Sequence, residues 1–145
     1  MPLNKDPLVS FHFQVEAGAM KGHFRECTGL GSESDVVEYK ATENGKPVIK
    51  KVPGRLKWEN IVLKRGITDD MEIWKWRKDI EEGKVASARR NGSIVMVDQT
   101  GAEVARWNFQ QAWPSKVTGP QLNAQSNEIA IEEMTLVHEG IKRDH

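Results

Sequence analysis

Cysteine is nearly absent from this 145-residue chain: Cys27 stands alone, so no disulfide can form within it, and the sequence fits a reducing compartment. Long apolar runs are missing too. The opening MPLNKDPLVSFHFQVE lacks the hydrophobic core of a signal peptide, and no stretch reaches the ~20 apolar residues that span a membrane. Synthesis in the cytoplasm without membrane anchoring is expected. Net charge is absent as well, with 21 Lys plus Arg against 21 Asp plus Glu, so no global field draws the protein to nucleic acid or an anionic membrane.

The signatures of chemistry are equally scarce. His12, His23, His138 and His145 show no H-x-x-x-H or Cys/His spacing, so no metal site is expected. No phosphate-binding glycine loop or nucleophile elbow occurs, and no cofactor is implied. Glu132 and Glu133 are adjacent, which on a strand sends them to opposite faces and makes them a poor acid/base pair. Cys27 as a nucleophile with a distant histidine is the one enzymatic reading, weaker than that of a small buried apolar residue. The expectation is a protein that is not an enzyme.

What is present is strand pattern around one helix. Ile61 and Leu63 share one parity of an extended run, Arg65-Gly66 can turn it, and Thr68 can cap a helix over residues 69–82 with Asp69 and Asp70 favouring its dipole. Gly83 would end that helix in the left-handed conformation. At about 100° per residue, Ile73, Trp76 and Ile80 form one stripe, which should dock on a sheet. Trp74 lies off that stripe, at the rim of the core or against another chain.

The remaining elements are strands and loops in a single domain, 1–145. Residues 1–8 carry two prolines and predict an extended arm. Phe11, Phe13 and Val15 alternate with polar neighbours, and a second strand pairs back over 23–28. A short strand over 36–40 leads to ATENGKPVIKKVPG at 41–54, a protruding loop or hairpin with an exposed Val48-Ile49 pair. Asn91-Gly92 predicts a tight turn, and Glu103 to Trp113 a long strand that Pro114 should end. In the last strand Ile129 and Ile131 have one parity while Met134, Leu136 and His138 have the other; an extra residue at Glu132-Glu133 would restore one apolar face, so a β-bulge is predicted there.

Charge is local. From Lys40 to Arg65 eight basic residues face two acidic ones, a net of +6, while 26–38 and 128–139 each hold four acids and no Lys or Arg. Separated patches of opposite sign suit self-association. The basic stretch 46–57 also leaves open a monomeric nucleic-acid-binding β-domain, although Trp58 is its only nearby stacking aromatic.

Several segments, in order, resemble the tail tube proteins of contractile phages and of phage-derived contractile injection systems: FHFQVE at 11–16, FRECTGL at 24–30, VVEY at 36–39, IVLKRGIT at 61–68, WKW at 74–76, WNFQQAWPSK at 107–116 and NEIAIEEMTLVHEG at 127–140. The type VI secretion tube protein is a more distant relative. The resemblance implies a mainly β, sandwich or barrel-like fold with one helix. Six copies would close into a ring, and rings would stack into a hollow tube inside a contractile sheath. Baseplate or tube-initiator and tube-terminator proteins would be partners, and DNA or effector proteins would be cargo. Such a protein ends in a virion or a released particle. Neighbouring sheets would join into one barrel, and loop 41–54 would reach an adjacent subunit. Candidate inter-subunit contacts are Lys46, Val48, Ile49, Lys50, Lys51, Trp74, Glu132 and Glu133.

Overall fold

The computed structural model describes residues 11–18, 20–120 and 130–145; the expected arm at 1–8 and Ile129 lie outside them. Ten strands and two helices follow in order: β1 (His12–Ala17), β2 (Met20–Phe24), β3 (Glu26–Thr28), β4 (Ser32–Glu43), β5 (Lys46–Trp58), β6 (Ile61–Gly66), α1 (Glu72–Glu81), α2 (Val85–Ala88), β7 (Arg90–Val97), β8 (Glu103–Thr118), β9 (Ile131–Val137) and β10 (Gly140–Arg143). Eight strands make one antiparallel sheet in the order β2-β1-β7-β8-β9-β6-β3, with β10 also on β8; β4 and β5 form a separate hairpin.

The large sheet curls back on itself because one run of chain bends at Arg25. Before the bend β2 pairs with β1, and after it β3 pairs with β6, while the Arg25 N–H donates to the Lys64 carbonyl at 2.8 Å. Alternating inward residues then fill the interior: Val15, Met20, Phe24, Ile61, Leu63, Ile94, Phe109, Met134 and Leu136 are all buried. The period-2 pattern carries this core. Helix α1 covers it, with Ile73 and Trp76 fully buried and Ile80 packed at the margin.

Several local expectations are corrected. The helix starts at Glu72, three residues later than expected, because Thr68 and Asp70 use their side chains in local turns: Thr68 Oγ1 accepts the Asp70 N–H at 3.0 Å, and Asp70 Oδ1 accepts the Glu72 N–H at 3.1 Å. Gly83 does adopt a positive φ of 81° past its end. The short helix α2 was not anticipated; Trp76 explains its place, since its Nε1–H donates to the Ala88 carbonyl at 2.6 Å.

Asn91-Gly92 is not a turn but lies within β7, where Gly92 pairs with Ala17 and Phe109. A Cβ there would run into the Glu16 carbonyl and the Phe109 ring, so the glycine serves close strand approach. Strand β8 also runs through Pro114, which sits opposite Leu136 beside a register shift that makes room for it.

The predicted bulge at Glu132-Glu133 is absent. Strand β9 pairs with β6 in unbroken register from Ile131↔Gly66 to Leu136↔Ile61, so Glu132 shares the inward face with Met134 and Leu136 and Ile131 faces out. A buried charge, not an extra residue, resolves the parity.

Candidate self-assembly surfaces

Arg65 makes an inward-facing Glu132 tolerable. The two side chains are 4% and 5% exposed, and Arg65 Nε donates to Glu132 Oε2 at 3.1 Å. Arg65 also donates to the Asp70 carboxylate at 3.2 Å and the Asp70 carbonyl at 2.8 Å, and its guanidinium stands 5.3 Å from the centre of the Phe24 ring. Trp74 Nε1–H fills the second Glu132 oxygen at 3.0 Å. Trp74 and Glu132 are therefore joined within the subunit, where they tie α1 to β9, and Arg65 links that pair to the end of β6. Glu133 faces the other way, half-buried, opposite Lys64 and Thr118.

Lys46, Val48, Ile49, Lys50 and Lys51 all lie on the hairpin, apart from that network. Its turn is Asn44-Gly45, both at positive φ (51° and 76°), the two-residue geometry that matches strand twist. Cross-strand partners sort the side chains into two faces. One carries Val37, Tyr39 and Ala41 opposite Val52, Lys50 and Val48; the other carries Val36, Glu38 and Lys40 opposite Pro53, Lys51 and Ile49. No residue of β4 or β5 is fully buried, and Val37, Tyr39 and Ile49 are exposed. Among the described residues, an uncovered apolar stripe runs up a hairpin that pairs with no other strand.

The expected basic patch is largely neutralised by its own pairing. Lys51 meets Glu38 at 3.9 Å, Lys57 meets Asp35 at 3.4 Å, Lys64 meets Glu26 at 3.9 Å, and Lys50 bridges to Glu43. The acidic segment 26–38 and the basic segment thus meet within one subunit, because β4 and β5 bring them into register. Composition along the chain could not show which strands pair. Among the described residues of the hairpin, Lys40, Lys46 and Arg55 have no ion-pair partner.

A second surface is backbone. Among the described residues, the face β2-β1-β7-β8-β10 ends in two strands that each pair on one side only, β2 with β1 and β10 with β8. Its outward side chains include Gln14, Glu16, Lys21, Asn108 and Lys142, a polar wall. An open cavity of about 250 Å³ lies where this wall meets the hairpin base, lined by Trp58, Asn108, Gln110, Glu139, Ile141 and Lys142. His138, beside it, is committed to structure: Nε2 lies 2.9 Å from the Glu59 carbonyl and Nδ1 accepts the Gly140 N–H at 3.1 Å, which sets Nε2 as the donor.

Burial pushes the Cys27 thiol up to about 12, leaving it protonated and a poor nucleophile. No group of three or more metal-ligating side chains occurs among the described residues, and none of their helices is long and apolar enough to cross a membrane.

Known proteins share this architecture. The sheath–tube complex of an extracellular contractile injection system, PVC, in its extended state contains a chain 28% identical, with a TM-score of 0.76 over 91% of this chain and 87% of that one. A chain in the sheath/tube terminator of the same system is 26% identical with a TM-score of 0.77, each chain covered in full. The anti-feeding prophage cap gives 25% identity and 0.75 over 98% and 93%. Hcp1 from Flavobacterium johnsoniae, at 14% identity and 0.55 over 92% and 94%, shares the fold. No curated protein sequence matches. The family model of the T4-like virus tail tube protein gp19 matches residues 9–142, and the chain belongs to that tail tube family, a structural component of contractile tails and injection systems.

Proposed function

We propose that this protein is the inner tube subunit of a contractile particle, forming rings of six that stack into a hollow, rigid conduit for DNA or protein cargo. The observation that carries the reading is the hairpin: two strands of 12 and 13 residues with an apolar stripe and no fully buried residue. An isolated two-stranded hairpin is marginal in water, so so long a one needs a surface to lie on. Ring closure follows from the other surface. The open edge of β2 on one copy would pair with that of β10 on the next, a head-to-tail contact that leaves no exposed edge once the ring shuts. Its function is geometric: a stiff tube driven through an envelope when the surrounding sheath shortens.

Sheath, baseplate and terminator proteins are the partners in this reading; sheath and terminator are supported by the particles in which its relatives occur. The particle would be a phage tail or a released injection device. Nucleic-acid binding through 46–57 loses support, because Lys50, Lys51 and Lys57 are paired within the hairpin. Negative-stain microscopy of the purified protein over a concentration series is the test. Rings or tubes are expected; a strictly monomeric protein at every concentration, with salt-dependent DNA binding, would overturn it.

A further inference from the structure

The four histidines show no metal-binding spacing along the chain, yet the fold brings two of them together. Strands β1 and β2 pair Phe13 with Phe24 and Gln14 with His23, so His12 is the diagonal neighbour of His23 on the same outward face. Their ring centres are 5.8 Å apart, with the planes tilted by 50°. His23 is exposed and His12 half-buried. Val97 pairs with His12 from the other side and is only 6% exposed, which leaves the His12 ring an apolar neighbour on one flank and His23 on the other.

The remaining histidines are committed elsewhere. His138 uses both ring nitrogens inside the subunit, and the ion pairs that involve histidine among the described residues are those of His145 alone. The next outward carboxylate on β1, Glu16, stands opposite Lys21 and lies 3.9 Å from Arg106, so it is not offered as a ligand.

Two neutral imidazoles at this spacing are a chelating pair. An ion held tetrahedrally at about 2.0–2.1 Å from one nitrogen of each ring needs ring centres roughly 5 Å apart, which small side-chain rotations reach. Imidazole favours first-row transition ions such as Zn²⁺ and Ni²⁺, whereas Mg²⁺ prefers oxygen ligands. Water would complete the coordination, since no third metal-ligating side chain joins the pair among the described residues.

We propose that His12 and His23 form a two-imidazole site for a divalent transition-metal ion at the β1–β2 edge of the sheet. Both ligands come from one chain, so the site stands independently of the tube reading. An ion there ties β2, which pairs only with β1 among the described residues, to the body of the sheet and stabilises the fold by mass action.

The test is calorimetric titration of the full-length, tag-free protein with Zn²⁺, Ni²⁺ and Mg²⁺ at mildly alkaline pH, where free imidazole is neutral. Thermal melts with and without each metal accompany it. One Zn²⁺ or Ni²⁺ per chain is expected, with a melting temperature that rises with metal and no uptake of Mg²⁺. His12→Gln and His23→Gln should each weaken binding at least about tenfold, the loss that even an outer partner of a ligand can cause. The double variant should lose both the binding and the thermal shift, and His145→Gln should bind like the wild type. Both side chains lie on the outward face, and the metal-free melt reports whether each variant folds. Wild-type protein that takes up no transition metal would overturn the proposal, as would Mg²⁺ binding of equal strength. Undiminished binding in a double variant that melts like the wild type, or loss of binding in His145→Gln, would place the ion elsewhere and overturn it too.

Discussion

Glu132 sits 3.1 Å from Arg65 in the interior of the subunit, each a single residue from a position that faces solvent on its strand. Removing one partner leaves the other as an uncompensated buried charge, which costs about 3–5 kcal/mol, whereas replacing both with apolar residues of similar volume is often neutral. Glu132→Ala is therefore expected to destabilise strongly in urea unfolding, and Arg65→Met with Glu132→Leu to recover most of the loss. A double variant destabilised by the sum of the Arg65→Met and Glu132→Leu losses would show that the pair is not coupled.

The two tryptophans of WKW separate cleanly. Trp76 is fully buried, donates to Ala88 and lies under Arg90, whose guanidinium is 4.8 Å from the ring centre. Trp76→Ala should cost about 3–5 kcal/mol. Trp74 is only half-buried and is tied chiefly through its Nε1–H to Glu132, so Trp74→Phe should cost about 1.5–3 kcal/mol, the value of a hydrogen bond to a charged acceptor. Thermal melts of the monomer check both. If Trp74→Ala equals Trp76→Ala, Trp74 belongs to the core.

This contrast marks what sequence could and could not disclose. Ile61, Leu63, Ile73 and Trp76 were legible because their burial follows from periods of 2 and 3.6, which local sequence encodes. The Arg65–Glu132 pair was not, because it joins residues 67 apart and breaks the rule that charged residues face out. The bulge inferred for Glu132-Glu133 came from applying that rule where a partner overrode it. The turn of the hairpin was visible in Asn44-Gly45, but its reach was not. In place of a short strand over 36–40 and a loop over 41–54 stand two long strands, Ser32–Glu43 and Lys46–Trp58, with Pro53-Gly54 inside the second. The charge pairing along them depended on register, which turn geometry fixes only once both strands are known.

Cys27 gives a pH signature. Its thiol is raised by burial from 9.0 to about 12 in the folded chain. Above pH 9 the unfolded chain loses this proton while the folded one keeps it, so the unfolded state binds fewer protons and stability falls as pH rises from 9 towards 12. The slope cannot exceed ~1.4 kcal/mol per pH unit, and nothing is lost below pH 9. Urea unfolding between pH 8 and 10.5 should show a shallower decline in Cys27→Ala than in the wild type. Thiol labelling should likewise be slow in native protein and fast after denaturation; fast native labelling at pH 8 would contradict the burial.

The hairpin stripe should separate assembly from folding. Val37 and Tyr39 are 47% and 49% exposed and Val52 is 39% exposed, so the monomer gains little from their apolar area. Val37 and Val52 face each other across the ladder, and threonine keeps the β-branched shape that suits a strand while adding a hydroxyl that must be desolvated on docking. The double variant Val37→Thr with Val52→Thr should therefore melt within about 1 kcal/mol of the wild type, since exposed substitutions usually act weakly. In assembly it should fail, because covering the stripe would bury two hydroxyls without partners in every copy along the tube. Sedimentation and microscopy decide: tubes of normal length would mean that the stripe faces solvent in the particle, and its exposure in the monomer would then need another partner to account for it.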